Sequence, residues 1–322
     1  MISSRELVIR FQSLLALVLM VIGLSLATDN FLTVDNGMNV LRQISINLCL
    51  SIGMTLVILS GGIDLSVGSV LALSGAVTAG LLKNGLTLGR LDLLVEFTVF
   101  GAILGGLAIG VLIGFCNGLV ITRFQLPPFV ATLGTLSIAR GLTMLWTGGF
   151  PITGLGDRFG FLGTGHFLAV PMPVLISMML ALLFFGVTRR TRFGRHLFAV
   201  GGNERAALLS GLNVKRIKLG VYTLAGALAG VAGLLVTARL DSATPNAGIS
   251  YELDSIAAVV IGGTSLSGGR GSVLGTALGC LIIGVLNNGL VLLEVSPFWQ
   301  QVIKGLVIIV AVAIDRTNRK DS

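Results

Sequence analysis

Charged residues are scarce in this sequence. Asp, Glu, Lys and Arg make up 11% of the 322 residues, whereas hydrophobic types make up 54%. A soluble domain needs about 25% charged residues to cover its surface, so this composition excludes an ordinary soluble fold. The hydrophobic residues instead recur in runs along the whole chain, and many runs approach the length of about 20 residues that a helix needs to cross a bilayer.

The sequence also lacks the short motifs of common enzyme and nucleotide sites. It contains no G-x-x-x-x-G-K-[ST], H-E-x-x-H, C-x-x-C or G-x-S-x-G pattern. The two histidines, His166 and His196, are far apart, and the three cysteines lie inside apolar runs without metal-ligand spacing. These absences predict a protein that is not an enzyme, that binds no metal or cofactor, and that does not itself hydrolyse ATP.

Aromatic residues are few, at 6%, although the net charge is +8. A nucleic-acid partner is therefore not expected, because single-stranded nucleic acids are bound by stacking their bases on aromatic side chains. The basic residues fit the cytoplasmic loops of a membrane protein instead. With the N-terminus inside, 15 of the 22 Lys and Arg residues fall on cytoplasmic segments, five fall outside, and Arg140 and Lys304 fall within helices. Both termini are thus predicted to be cytoplasmic.

The predicted fold class is an all-α integral membrane protein with about ten transmembrane helices in a single domain over residues 1–322. The eighth apolar run is too short to span a bilayer alone and is predicted to be a half-helix or a re-entrant segment. The first run also fits a cleaved secretory signal, but the membrane-spanning remainder favours an uncleaved helix. The runs are Phe11–Ala27, Arg42–Ser60, Ser66–Leu82, Leu93–Ile121, Pro128–Trp146, Val170–Val187, Leu219–Ala238, Glu252–Gly262, Ser272–Leu293 and Phe298–Ile314.

Two connecting segments are longer than the rest and are predicted to be largely non-helical. The external one covers Thr147–Ala169, and the cytoplasmic one covers Thr188–Lys218 and carries eight basic residues. Within the cytoplasmic segment, Gly201–Gly211 predicts a helix of two turns, with Asn203 as its N-cap and Gly211 as its stop. So short a helix needs a surface to rest on, which is either the lipid headgroups or the groove of a partner protein.

Small residues recur every four positions in three places, which lets helix backbones approach closely. Two Gly/Ser-rich turns, Gly61–Ser66 and Gly262–Ser267, also resemble each other, and each precedes a predicted helix. Such a repeat is typical of transporters, but chance similarity between two turns explains it equally well. The rows are Gly106, Gly110, Gly114 and Gly118; Gly68, Ala72, Ala76 and Gly80; and Gly271, Gly275 and Gly279.

Polar side chains within the apolar runs are candidates either for a translocation path or for hydrogen bonds between helices. Asp64 lies at the start of a helix, where it fits a structural role as a cap and also a role in gating, and Glu252 and Asp254 share this ambiguity. No acid is placed convincingly at mid-membrane, which disfavours ion-coupled transport. The path candidates are Asn47, Thr55, Asp64, Ser66, Asn117, Thr132, Arg140, Asn287 and Asn288.

Several motifs resemble those of the permease subunit of bacterial ribose-type ABC importers. The resemblance extends from about Phe11 to Asp315, and the motifs together are specific for the family, although they say less about which sugar is carried. The motifs are Gly53–Ile58, Gly61–Ser69, Pro128–Thr135, Gly201–Val214, Tyr251–Val260 and Gly262–Leu266.

The resemblance implies a multi-pass protein of the bacterial inner membrane that translocates a monosaccharide by alternating access, with ribose as the expected sugar. Relatives for galactose, xylose, allose and a furanose signalling molecule look similar, so a different monosaccharide remains an alternative. A secondary, ion-coupled sugar transporter is the alternative from another class, and uptake that needs no separate ATPase would distinguish it.

The resemblance also implies partners. The permease is expected to form a dimer with a second copy or a paralogue, and a periplasmic sugar-binding protein is expected to dock near Thr147–Ala169 and Arg239–Ser250. A cytoplasmic ATPase subunit with two fused cassettes would use ATP, and the helix Asn203–Ser210 would couple it to the membrane helices. The expected coupling residues are Gly202, Asn203, Glu204, Ala206, Leu209, Ser210 and Gly211.

Overall fold

The computed structural model describes residues 4–88 and 93–320 of the chain, and their side chains except for residues 4–12, 87, 88, 93 and 314–320. Arg90, which the sequence places on the outer side, lies outside the described residues. The described part consists almost wholly of helices, joined by short strands that pair two by two.

The helices are α1 (Ser4–Ala27), α2 (Val34–Leu59), α3 (Val67–Asn84), α4 (Val99–Arg123), α5 (Pro128–Thr147), α6 (Asp157–Thr164), α7 (Met172–Arg190), α8 (Arg192–Gly202), α9 (Glu204–Leu209), α10 (Val214–Leu240), α11 (Tyr251–Ile261), α12 (Val273–Leu292) and α13 (Pro297–Lys320). The strands are β1 (Leu86–Leu88), β2 (Leu93–Val95), β3 (Ile152–Thr153), β4 (His166–Phe167), β5 (Val170–Pro171) and β6 (Ser242–Ala243). The antiparallel pairs are β1–β2, β3–β6 and β4–β5.

Each of the ten predicted runs falls on a helix. Among the described residues, seven helices are long and apolar enough to cross a membrane, namely α2, α3, α4, α5, α7, α10 and α12. The apolar parts of α1 and α13 that can be assessed are shorter, at Ser13–Ala27 and Pro297–Ala313. Helix α11 has 11 residues, as the short eighth run predicts. The total of ten spans, the single domain and the cytoplasmic termini remain predictions.

Several boundaries differ from the prediction. The run Leu93–Ile121 is not one helix, because Leu93–Val95 forms β2 and α4 begins only at Val99, after the N-cap Thr98. The cytoplasmic segment Thr188–Lys218 is mostly helical: α7 extends to Arg190, and α8, α9 and the start of α10 follow. The external segment Thr147–Ala169 likewise contains α6, β3 and β4.

Local sequence explains where many helices begin. The hydroxyl oxygen of Thr33 accepts a hydrogen bond from the N–H of Asn36, and Thr98 and Ser272 cap α4 and α12 in the same way. Such caps satisfy one of the N–H groups that the first turn of a helix leaves without a partner. Helix α5 begins instead at Pro128, whose missing N–H costs nothing at the first helical position.

The chain divides into two compact units, of which one comprises residues 62–177 and 213–252. In this unit α4 packs on α10 with backbone against backbone. A Cβ added to Gly110 would lie 3.0 Å from the Cα of Gly230, and one added to Gly114 would lie 2.9 Å from the Cα of Gly226. Glycine is therefore required at these positions of α4, which confirms the close approach predicted from that row of small residues.

The other unit comprises the described parts of residues 1–61, 178–212 and 253–322. Helix α12 packs on α1 and α2, and α8 packs on α2. A cluster of buried residues, Ile44, Ala257, Ala258, Cys280 and Ile283, joins α2, α11 and α12. Cys280 lies in this cluster as a free, fully buried side chain, as its place in an apolar run predicts.

The two similar turns share one backbone feature but not the expected register. Gly61 and Gly263 both adopt positive φ, +81° and +83°, directly after a helix. This conformation ends a helix at little cost only with glycine. In the sequence comparison Gly61 matches Gly262, so the structural register is shifted by one residue. Gly271 precedes α12 rather than lying on it, which leaves Gly275 and Gly279 as the third row.

Candidate functional site

The short cytoplasmic helix α9 has the ends that the sequence predicts. The side-chain oxygen of Asn203 accepts a hydrogen bond from the N–H of Ala206 at 2.9 Å. At the other end, Gly211 adopts a φ of +82°, and the N–H of Leu212 donates to the carbonyl oxygen of Ala207 at 3.1 Å. Both ends of α9 are thus fixed by local hydrogen bonds, although six residues are too few to form a stable helix alone.

Helix α9 presents most of its surface to the outside of the unit. Ala207 is its one buried residue, at 5% exposure, whereas Leu208 and Leu209 are 61% and 82% exposed. The hydroxyl of Ser210 donates to the carbonyl oxygen of Ala206 at 2.9 Å and keeps the last turn closed. Two adjacent leucines on an exposed, firmly capped helix form an apolar surface suited to a complementary groove.

A buried polar chain begins at Asp64, between α2 and α3. Asp64 Oδ1 accepts hydrogen bonds from the N–H of Ser66 at 2.9 Å and from its hydroxyl at 2.6 Å. The amide of Asn117 on α4 donates to Ser66 Oγ at 2.9 Å, and the hydroxyl of Thr135 on α5 donates to Asn117 Oδ1 at 2.6 Å. This series of hydrogen bonds, the Asp64 chain, connects α3, α4 and α5 through side chains.

The same region includes Thr132 and Tyr222. The hydroxyl of Thr132 accepts a hydrogen bond from the N–H of Leu65 at 3.2 Å and donates to the carbonyl of Pro128 at 2.9 Å. The buried hydroxyl of Tyr222 has no hydrogen-bond partner and lies against Gly62, where a Cβ would collide with it. Burial raises the pKa of the Asp64 carboxyl, and the hydrogen bonds from Ser66 partly offset this effect.

Arg140 on α5 braces the loop before α11. One of its guanidinium nitrogens, Nη1, donates to the carbonyl oxygens of Pro245 and Ala247 at 2.7 and 2.8 Å. The cation is thus held by backbone acceptors of the protein, which satisfies the requirement for a charged group in an apolar helix. The hydrogen-bond partners of Arg140 are thus different from those of Asp64, Ser66 and Asn117.

The two stretches that the resemblance assigns to the binding protein meet in one small platform. Strand β3 pairs with β6, with Ile152 opposite Ala243 and Thr153 opposite Ser242. Asp241 Oδ1 accepts a hydrogen bond from the N–H of Leu155 at 2.8 Å. The platform rests on a buried cluster that includes Leu155, Phe159 and Ala243. The residues 152–155 and 241–243, named here the outer platform, therefore have a fixed mutual geometry.

Asn47 and Thr55 lie on α2 in the other unit. Asn47 Oδ1 accepts from the hydroxyl of Ser255 on α11 at 3.2 Å, and the hydroxyls of Thr55 and Thr276 on α12 lie 2.7 Å apart. Both candidates thus form hydrogen bonds between helices. These contacts are the ones that polar side chains make in helix packing, and they position α2 against α11 and α12.

Asn287 and Asn288 on α12 have different surroundings. Asn288 and Asn36 donate to each other's side-chain oxygens at 2.7 and 3.0 Å. Asn287 Nδ2 donates at 3.5 Å to Asp254 Oδ2, which also accepts from Lys304 Nζ at 3.0 Å. Asp254 is thus a buried residue in the first turn of α11, with Lys304 as its ion-pair partner.

The candidates for the translocation path therefore occur in both units. Asp64, Ser66, Asn117 and Thr132 come together in one unit, while Asn47, Thr55, Asn287 and Asn288 form pairs in the other. Sequence reasoning missed Ser255, Thr276 and the partner role of Asp254, for which the only signal is a polar residue inside an apolar run. Among the described residues, no three His, Cys, Asp or Glu side chains lie close enough together to hold a metal ion.

Comparison with known proteins decides the family. Residues 36–312 match the family model described as the permease component of the branched-chain amino acid transport system. The chain belongs to this permease family. The permease is accordingly a transport protein of the inner membrane and is not itself catalytic, and its long apolar helices can cross that membrane.

Named relatives cover nearly the whole permease. The ribose import permease protein of Bacillus subtilis (strain 168) is 50% identical over 304 residues, which cover 94% of this chain and 91% of the relative. The ribose import permease protein of Haemophilus influenzae (strain ATCC 51907 / DSM 11121 / KW20 / Rd) is 46% identical, covering 94% and 92%. The D-allose transport system permease protein of Escherichia coli (strain K12) is 39% identical, covering 95% and 91%. No solved structure matches the permease.

Proposed function

We propose that this permease is the membrane-spanning subunit of an ATP-driven importer and that its substrate is ribose. The observation that supports this most strongly is the identity of 50% and 46% to two proteins named ribose import permease, against 39% to one named for D-allose. The coverage above 90% of each chain means that the likeness includes the whole membrane domain and not one shared segment.

A separate ATPase subunit would supply the energy. The chain has no phosphate-binding loop, and α9 offers a capped helix whose Leu208 and Leu209 are exposed. Docking this helix in an ATPase groove would bury two leucines, each of which gains about 1.5–3 kcal/mol on full burial. The residues in contact would be Leu208 and the predicted coupling residues Gly202, Asn203, Glu204, Ala206, Leu209, Ser210 and Gly211.

A periplasmic sugar-binding protein would dock on the outer platform. The β3–β6 pair gives this surface a defined shape, and the exposed side chain of Phe150 lies two residues before it in sequence. Rigid surfaces bind partners at a lower entropic cost than mobile loops do. The sugar would then pass between two permease copies, because importers that alternate access rock two halves around a central path.

Alternating access would be driven by the ATPase. A ligand moves a conformational equilibrium only through its difference in affinity for the two states, so a sugar alone does not drive uphill transport. The Asp64–Ser66–Asn117 chain has fixed hydrogen bonds that join α3 and α4, and it is the proposed element of the path or gate in its unit. The same bonds also serve helix packing, and substitutions at Asp64 distinguish the two roles.

Ion-coupled transport is the second candidate, because Asp254 places a carboxylate inside an apolar part of the chain. Its pairing with Lys304 argues against a role in binding a transported cation, since Lys304 already supplies the positive charge. This candidate predicts uptake that persists without any ATPase and that collapses when an ionophore removes the ion gradient.

The test is uptake of labelled ribose into proteoliposomes that hold the permease, its ATPase and its binding protein. We expect uptake that requires ATP, that stops when the ATPase carries an inactivating substitution in its phosphate-binding loop, and that excess unlabelled ribose blocks while galactose, xylose and allose do not. ATP-dependent uptake blocked by another sugar would correct the substrate. Uptake that is unchanged with the inactive ATPase would overturn the proposal.

A further inference from the structure

Helices α8 and α9 form a continuous arm. Only Asn203 separates the last residue of α8 from the first of α9, and Asn203 caps α9. Helix α8 buries Leu197 and Val200 at 0% and 1% exposure, so its base is anchored in its unit while α9 remains exposed. A displacement of α9 by a partner is therefore passed through Asn203 directly to the C-terminal end of α8.

At that point three chain segments meet without side chains between them. They are the end of α2 at Leu59–Gly61, Gly201 at the end of α8, and the turn Gly268–Gly269 between α11 and α12, together named here the glycine junction. A Cβ added to Gly201 would collide with the carbonyl oxygen of Leu59 and lie 2.6 Å from the nitrogen of Gly269. A Cβ added to Gly268 would lie 2.8 Å from the carbonyl oxygen of Gly201.

A hydrogen bond closes the junction. The N–H of Gly269 donates to the carbonyl oxygen of Leu59 at 3.1 Å, which ties the α11–α12 turn to the end of α2. Gly268 and Gly269 have φ values of +85° and +71°, a backbone conformation that glycine adopts without strain. The turn can thus follow this path and reach α2 and α8 at backbone distance only because both residues are glycine.

Direct backbone contact determines how the junction responds to force. Side chains change rotamer and absorb small shifts, whereas close-packed backbone atoms pass a shift to their neighbours. The segments on the far side of the junction are α2 and α12, which the Thr55–Thr276 hydrogen bond also joins. A shift at Gly201 therefore moves both helices together.

We propose that the glycine junction is the positioning contact that transmits movement of α9 to α2 and α12. This inference rests on the proposed function, in which an ATPase binds α9. Gly201 acts through its neighbours and touches neither sugar nor ATP.

The first experiment replaces Gly201 by Ala and uses Gly186→Ala on α7 as the matched control, since a Cβ at Gly186 meets nothing within 4 Å. Both variants and the unmodified permease are reconstituted with the ATPase and the binding protein. We expect Gly201→Ala to retain the ATPase and its hydrolysis, and to lower the ribose moved per ATP by roughly tenfold. Gly186→Ala is expected to match the unmodified protein. An unchanged ratio in Gly201→Ala would overturn the proposal.

The second experiment needs no variant and decides the question if Gly201→Ala fails to fold. Amide hydrogen exchange of Gly269 is measured in the unmodified complex without nucleotide and with a trapped ATP analogue. A contact that transmits movement stays closed, so exchange is expected to be equally slow in both states. Exchange of the Gly269 amide that is faster by roughly tenfold in one state than in the other would overturn the proposed role of the glycine junction. If the unmodified permease transports ribose without the ATPase, it is the proposed function that fails.

Discussion

Lys304 and Asp254 form an ion pair in which Lys304 Nζ lies 3.0 Å from Asp254 Oδ2, so that α13 is joined to α11. Their side chains are 24% and 11% exposed, which leaves little water to solvate either charge. Asn287 on α12 donates to the same carboxylate oxygen at 3.5 Å. The pair explains how a lysine is accommodated in an apolar helix, because each charge neutralises the other.

Replacing Lys304 by Met should destabilise the permease. The change leaves the Asp254 carboxylate buried without its partner, and breaking a buried pair on one side costs about 3–5 kcal/mol. The measurement is the unfolding temperature in detergent together with the amount of permease in the membrane. The exchange variant Asp254→Lys with Lys304→Asp should recover much of the loss. A Lys304→Met variant as stable as the unmodified protein would show that the ion pair contributes nothing.

Replacing Leu209 by Asp should uncouple the ATPase without harming the permease. Leu209 is 82% exposed, so the substitution costs little in folding but places a charge in the proposed docking surface. We expect ribose uptake to fall by roughly tenfold or more while the amount of permease in the membrane is unchanged. Leu209→Met is the control, since it keeps an apolar side chain of similar size. Full uptake by Leu209→Asp would count against the docking role of α9.

Two substitutions at Asp64 separate a structural role from a role of its charge. Asp64→Asn keeps a side-chain oxygen that can accept from Ser66, whereas Asp64→Ala removes it and should cost about 1 kcal/mol. If the role is structural, Asp64→Asn retains uptake and Asp64→Ala lowers the unfolding temperature. This is the expected result. Uptake lost in a stable Asp64→Asn variant would instead assign a transport role to the charge.

Replacing Arg140 by Leu should free the loop that contains Pro245 and Ala247. The change removes two hydrogen bonds from a charged donor, each worth about 1.5–3 kcal/mol. Because this loop follows the outer platform, we expect stimulation of the ATPase by the binding protein to fall, measured as ATP hydrolysis with and without that protein. Arg123→Leu, at an exposed position, is the control. Equal stimulation in both variants would show that Arg140 has no part in docking.

The cytoplasmic segment Thr188–Lys218 shows which helices the sequence predicts and which it does not. Helix α9 was predictable because its caps are local: Asn203 and Ala206 are three residues apart. Helix α8 was missed because arginines dominate the segment in which it lies, and arginines are typical of a cytoplasmic loop. Its apolar residues Leu197 and Val200 are three positions apart and both are buried, which is the pattern of an amphipathic helix.

For the polar candidate residues, too, the sequence shows local features but not the partners that are distant in sequence. Their presence inside apolar runs is visible in the sequence, and so is the cost of leaving them unpaired. Their partners are not, because Thr55 meets Thr276 across a separation of 221 residues and Lys304 meets Asp254 across 50. A single sequence contains no signal that relates such distant positions. The sequence is therefore equally compatible with two roles for these polar residues, namely lining a translocation path and joining packed helices.

The sequence by itself determined that this protein lies in a membrane, where its apolar helices run, and that α9 is a capped, exposed helix. Each of these rests on composition or on interactions within a few residues. The tertiary structure alone decided that Asp254 neutralises Lys304, that Arg140 holds the loop at Pro245, and that Gly201 meets Leu59 and Gly269. These contacts arise only when helices distant in sequence pack side by side, since packing and not local propensity selects which polar groups and which backbones face each other.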